Sequence, residues 1–186
     1  MQYKEDWEEF ERIVKKHSIA TLYHCTNYNN LSSIVAHGGL YSWNYCKCNG
    51  IQVLTPGGTE LSRDLDSSKG LDDYVRLSFN LRHPMFYSRK RQIQNIVSLR
   101  VDSSVIYWQS TLFSNKNATR TGTAVGGHIC HFKSVNFDLA KQEYDYCRHS
   151  DMDKQYIQAE VMVKKHIPLK YITFPEYISL KDITSP

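Results

Sequence analysis

The sequence predicts an α+β fold, read as one domain over residues 1–186, and three stretches carry that expectation. Asp73-Tyr74-Val75-Arg76-Leu77-Ser78-Phe79 alternates in the two-residue period of a strand. Within charged residues 5–17, Trp7, Phe10, Ile13 and Val14 recur at helical spacing, the pattern of an amphipathic helix packed as a lid on the main body. Near the C-terminal end, Ala159 to Val163 alternates again, but a carboxylate interrupts it. Glu160 shares a face with Gln158 and Met162, opposite Ala159 and Val161. A carboxylate in a strand either keeps a sheet edge soluble or stands fixed at a cleft, where it can steer a hydroxyl or a developing cation.

The other elements follow in order. Ile19 to His24 reads as a short strand, and Thr26 or Asn27 can cap a helix over 29–37 that Gly38-Gly39 ends. This sets His24 and the asparagines at a strand–helix junction. Residues 41–70 lack a period and are rich in Gly, Ser, Asn and Pro, as in a functional or disordered loop. Ile96 to Val101 is a further strand, and Val105 to Trp108 starts another element. Leu112 to Thr119 is an apolar segment entering a polar turn. Residues 119–155 again lack a clear period, and Ile167 to Ile172 is a turn into a last extended segment. No internal repeat or linker divides the chain.

A chain of 186 residues with 41% apolar and 12% aromatic content can bury an ordinary core. Its 13 tyrosines offer flat faces with a polar tip, suited to clefts and base stacking. A formal charge of +4 is compatible with a polyanionic partner without demanding one. No run is apolar for as many as about 18 residues, so no membrane span is expected. Met1 to Lys16 lacks an apolar signal core, and the five cysteines form no disulfide framework, which points to a reducing cytoplasm.

Metal chemistry has weak support. His128, Cys130, His131, Cys147 and His149, with Cys46 and Cys48, have zinc-ligand chemistry but not the spacing of zinc modules, so no metal is expected. Cys25 beside His24 is a poor nucleophile pair, because strand neighbours point to opposite faces. Neither common glycine-rich phosphate loop is present. His24, Arg63, Tyr74 and Glu160 remain, each near a strand or its end. Such a set suits an anionic cofactor whose reactive carbon becomes cationic: arginine for phosphates, histidine for ribose hydroxyls, carboxylate for the cation.

The order of these pieces resembles the DarT family of NAD-dependent ADP-ribosyltransferase toxins that modify DNA bases. The blocks that carry the resemblance run from about Thr21 to Ile172. They are Leu22-Tyr23-His24-Cys25-Thr26 with Asn30-Leu31-Ser32-Ser33-Ile34 and Gly39-Leu40; Leu61-Ser62-Arg63 with Asp73 to Phe79 and His83-Pro84-Met85; Leu112 to Ala118; and Gln158-Ala159-Glu160-Val161 with Ile167-Pro168. The resemblance implies a split β-sheet core, two small sheets around an NAD cleft, with peripheral helices. It implies Glu160 as catalytic glutamate and Arg63 as catalytic arginine, with Arg76 a rival. It places cofactor contacts at His24, Asn27, Asn30, Leu31, Tyr74 and Arg63. The loop 41–62 would cover NAD, and 119–155 would select the acceptor.

Base chemistry requires an unstacked nucleotide, so single-stranded DNA is the expected substrate. Arg89, Lys90, Arg91, Lys116, Arg120, Lys133 and Arg148 are candidates to track its phosphates. The resemblance further implies a separate macrodomain antitoxin that removes the modification. Two other readings share these residues: the same fold acting on RNA, protein or water, and a binding module that has lost turnover.

Overall fold

The computed structural model describes residues 1–84, 95–145, 147–178 and 183. Helix α1 (Trp7–Lys16) buries Phe10 and Val14, with glutamates in its first turn and lysines in its last, where the helix dipole favours each. Strand β1 (Thr21–Asn27) runs three residues past the predicted end, so His24 sits within the strand rather than at its junction with a helix. The turn comes only at Asn27, whose side chain accepts the Asn29 N–H and starts a 3-10 turn into α2 (Leu31–Ala36). Next comes β2 (Gly39–Tyr41), where a Cβ on Gly39 would lie 2.2 Å from the Ile167 carbonyl oxygen. Only glycine permits that approach.

Two helices occupy the segment that lacks sequence period, α3 (Trp43–Cys48) and α4 (Glu60–Ser68). Side chains cap both, the Ser42 hydroxyl accepting from Tyr45 N–H and the Thr59 hydroxyl from Ser62 N–H. Helix α4 buries no residue, which is why no apolar stripe announces it. Strands β3 (Tyr74–Ser78) and β4 (Ile96–Asp102) lie where the sequence places strands, and β5 (Leu112–Ser114) forms in the segment read as apolar and entering a turn. Between β4 and β5, Ser103–Tyr107 forms a 3-10 turn. After β6 (Val125–Gly126) come α5 (Ile129–Lys133), α6 (Phe137–Ala140) and α7 (Asp153–Tyr156), each too short to repeat a helical face. The chain continues through β7 (Glu160–Lys164), β8 (His166–Pro168) and β9 (Ile172–Thr173).

Instead of two small sheets, the strands form one seven-stranded antiparallel sheet, ordered β6-β5-β7-β3-β1-β4-β9, and a β2-β8 pair. The large sheet is nevertheless split. Strands β1 and β4 pair along seven residues and β3 and β7 along five, but β1 meets β3 only at Tyr23 and Ser78. Beyond that pair the backbones part, and the His24 imidazole spans the gap, its Nδ1 3.0 Å from the Arg76 carbonyl oxygen. The loss of ladder bonds here opens the interior of the sheet to a ligand.

One face of the sheet is sealed by aromatic packing. Phe113 on β5 lies 5.4 Å from Phe10 and 4.7 Å from Phe132, ring centre to ring centre. Lys4 is buried against this cluster, its ammonium donating to the Gln109 and Thr111 carbonyls. Helix α1 is therefore part of the core and contributes nothing to the cleft described below. Truncating Phe113 to Ala is expected to lower the unfolding free energy by about 3–5 kcal/mol through the cavity it leaves. The exposed Leu61→Ala change on α4 is expected to cost under about 0.5 kcal/mol. Denaturant titration of the two variants checks both values.

Candidate active site

Where β1 and β3 part lies a cleft of about 2090 Å³. Single small ligands usually fill roughly 300–1,000 Å³, so there is room for a dinucleotide and part of a second substrate. One wall comes from β1, α3, α4 and the loop between those helices, and the other from residues 139–158; Arg76 and Glu160 also line the cleft.

Glu160 opens β7 opposite Ser78 on β3 and Ser114 on β5, so paired strands fix its backbone on both sides. Its Oε2 accepts from Arg76 Nη1 at 3.0 Å and from the Ala118 N–H at 3.0 Å. Its Oε1 has no hydrogen-bond partner among the described residues. One oxygen is anchored and the other is available, with the side chain only 10% exposed.

Arg76 commits both of its terminal nitrogens, while its buried Nε has no hydrogen-bond partner among the described residues. On the face it shares with Met162, it reaches Glu160, the Met162 sulfur at 2.9 Å, and Asp66 on α4. Burial works against its charge, but Glu160 and Asp66 outweigh burial and hold the guanidinium above the usual arginine range. Burial raises the Asp66 carboxyl, with Arg76 pulling the other way. Arg63, one helical turn before Asp66, faces the same cleft. Its guanidinium lies 4.9 Å over the Trp43 ring, and one Nη donates to the Gly58 carbonyl. Arg63 therefore keeps donors for an incoming anion, whereas the terminal nitrogens of Arg76 are committed to two carboxylates.

His24 has a defined tautomer. A carbonyl can only accept, so Nδ1 carries the proton toward Arg76 and Nε2 is left as an acceptor. Burial lowers the ring's pKa against the opposing effect of that hydrogen bond, which keeps the imidazole neutral at pH 7. Burial also pushes the Cys25 thiol to about 12, so this thiol is not a nucleophile near neutrality.

Of the remaining candidate cofactor residues, Tyr74 and Asn30 line the cleft. Asn30 spends both ends of its amide on the Thr55 backbone, tethering the loop that covers the cleft. Asn27 and Leu31 lie outside the lining: Asn27 caps a turn and Leu31 is in the core. Among the basic candidates, Arg148 lines the cleft, and Lys116 and Arg120 flank the lining residues Asn117 and Thr119. Lys133 pairs with Glu9 on α1, away from the cleft. Arg89, Lys90 and Arg91 lie outside the described residues. Among those described, no group of three or more His, Cys, Asp or Glu could hold a metal.

Sequence reasoning missed Trp43, Asp66 and the Ala118 N–H. The spacing of Arg63 and Asp66, three apart and so on one side of a helix, was the available signal for the second.

Comparison with known proteins agrees with this fold. Residues 23–181 match the family model described as "ssDNA thymidine ADP-ribosyltransferase, DarT". The fold is similar to Thermus sp. 2.9 DarT in complex with ADP-ribosylated ssDNA, at 17% identity, covering 88% of this chain and 84% of that one, with a TM-score of 0.70. It is also similar to the Thermus protein in complex with NAD+, at 20% identity, covering 83% and 79%, with a TM-score of 0.61. Against Thermosipho africanus DarTG in complex with ADP-ribose the identity is 22% and the TM-score 0.69, and the match covers 83% of this chain but 43% of that one. No curated protein matches the chain. The fold and its cleft are those of an NAD-dependent ADP-ribosyltransferase. The chain belongs to the DarT family, enzymes that act on single-stranded DNA.

His83, buried near the cleft, has its pKa lowered to about 4 by burial and by the Arg76 charge. The unfolded chain takes up this proton near pH 6.5, the folded protein only near 4. Stability from this group is thus complete above 6.5 and lost as pH falls toward 4, by about 3 kcal/mol at most. Denaturation midpoints across that window are expected to fall with pH, and His83→Gln to flatten the slope.

Proposed function

We propose that Glu160 is the catalytic carboxylate of this enzyme and that its acceptor is a thymine base in single-stranded DNA. The observation that carries the reading is the state of Glu160, which lines the cleft with Oε2 tethered by two donors and Oε1 without a partner among the described residues. NAD fits the donor set: Arg63 has donors for the diphosphate, and the neutral His24 has an acceptor for a ribose hydroxyl. NAD supplies an ADP-ribosyl group already carrying a good leaving group, nicotinamide.

The protein's part is positioning and charge stabilisation. Glu160 Oε1 accepts a hydrogen bond from the nicotinamide ribose and lies against the carbon that gains positive charge. The bond to nicotinamide breaks and its electron pair leaves with nicotinamide. A new bond forms from the ring nitrogen of thymine that retains a proton in DNA, and that proton passes to the Glu160 carboxylate. The wall made by residues 139–158 receives the unstacked base, with Arg148 and the turn around Lys116 beside its phosphates.

Arg63 is the arginine we assign to the cofactor, and Arg76 the one that holds Glu160. In cells we place the enzyme in the cytoplasm, a reading that five unpaired cysteines support. There it would act as a toxin opposed by a separate macrodomain protein that removes the modification. Similarity to DarTG supports the toxin–antitoxin setting. Among the described residues, no helix is long and apolar enough to cross a membrane.

The test is incubation of wild-type and Glu160→Gln proteins with NAD and single-stranded oligonucleotides that contain one thymine or none. Intact mass is expected to rise by one ADP-ribosyl group only on the thymine strand. The rate is expected to fall about 10²- to 10⁴-fold in the variant. Nicotinamide release without a DNA adduct would instead assign water or another acceptor.

A further inference from the structure

Helix α4 carries Arg63, yet it buries no residue, so packing alone does not hold it in place. Its attachments are polar, and two of them lead to Glu160. Asp66 is ion-paired with Arg76, and Arg76 donates to Glu160 Oε2. Just past the helix end, the Lys69 ammonium donates to the Thr119 carbonyl at 2.7 Å and approaches the Ala118 carbonyl at 3.5 Å. Ala118 is the residue whose N–H donates to the same Oε2. Each of the two donors that fix the carboxylate is therefore tied in turn to the α4 segment.

We propose that α4 is a positioning element, with Asp66 and Lys69 as positioning residues that align Glu160 through Arg76 and the Ala118 turn. This rests on the reading of Glu160 as the catalytic carboxylate. The physical case has two parts. Freed from Asp66, Arg76 would turn more of its charge and donors onto Glu160, neutralising the group that must stabilise a cation. Without Lys69, the turn that presents the Ala118 N–H loses the side-chain contact recorded from α4, and Oε2 is less firmly held. Because Arg63 lies on the same helix, an anion bound at Arg63 and the alignment of Glu160 share one rigid support. Neither Asp66 nor Lys69 touches Arg63, and each single substitution leaves the other tether to hold α4, so the loss falls mainly on turnover rather than on cofactor affinity.

The experiment measures DNA labelling against NAD concentration, with the thymine oligonucleotide saturating. The proteins compared are wild type, Asp66→Asn, Asp66→Glu, Lys69→Met, Lys69→Arg and Glu160→Gln. Asp66→Asn and Lys69→Met are expected to lower kcat about 10- to 100-fold, as small misplacements of catalytic groups do. The KM for NAD is expected to stay within about threefold of wild type. Asp66→Glu and Lys69→Arg, which restore the charge, are expected to recover most of the lost rate. Lys69 is exposed, so Lys69→Met folds whatever becomes of Asp66→Asn, and it decides the case. A wild-type kcat in Lys69→Met, a loss confined to KM, or no recovery in Lys69→Arg overturns the proposal. Wild-type labelling by Glu160→Gln would overturn the assignment of Glu160 beneath it.

Discussion

The two halves of the main sheet share a single residue pair, Tyr23 with Ser78, and the cleft exists because they part beyond it. An interior sheet position normally spends its backbone groups on a neighbouring strand. Here the Arg76 carbonyl is met by a histidine side chain instead. That substitution keeps a buried acceptor satisfied while the strands diverge, and it sets the tautomer of His24 at the same time. The rest of the site follows from this opening: β1 brings His24 to one lip and β3 brings Arg76 to the other. Strand β7, paired to β3 over five residues on the side away from β1, carries Glu160 to Arg76.

Charge balance within the opening is also set by the fold. Arg76 stands between two carboxylates, Asp66 and Glu160, so this cluster is net negative where a cation is to develop. In a water-poor cleft such a charge acts over short range and requires no reorganisation during the reaction. Arg63 is set apart from the cluster, stacked on Trp43 and tethered to one backbone carbonyl. In the proposed function the two arginines divide the work, one completing the carboxylate site and one offered to an anionic ligand.

Much of this was legible in the sequence because strands announce themselves. Residues 74–78 of the alternating run, the strand expected over 96–101 and the carboxylate at 160 all lie in observed strands. Met162 does share a face with Glu160, since Arg76 touches both. Helix α1 was equally plain through Phe10 and Val14, although it closes the core rather than covering the cleft. The remaining helices were hidden for physical reasons. Helix α4 has no buried face, and α5 to α7 are four or five residues long, too short to show a period. The links from Asp66 to Arg76 and from Ala118 to Glu160 join residues 10 and 42 positions apart, and no local pattern encodes either. Asn27, expected both as a possible cap and as a cofactor contact, caps the turn after β1 and lies outside the cleft lining.

The central claim is that the parting of β1 and β3 houses the transferred ribose between His24 and Glu160. The most direct measurement is a crystal structure of the Glu160→Gln protein with NAD and a thymine-containing oligonucleotide. The account predicts the nicotinamide ribose within hydrogen-bond reach of His24 Nε2 and of residue 160, the diphosphate on Arg63, and the base against the wall formed by residues 139–158. NAD bound elsewhere, or bound here with its diphosphate on Arg76 and the Asp66 contact broken, would contradict it.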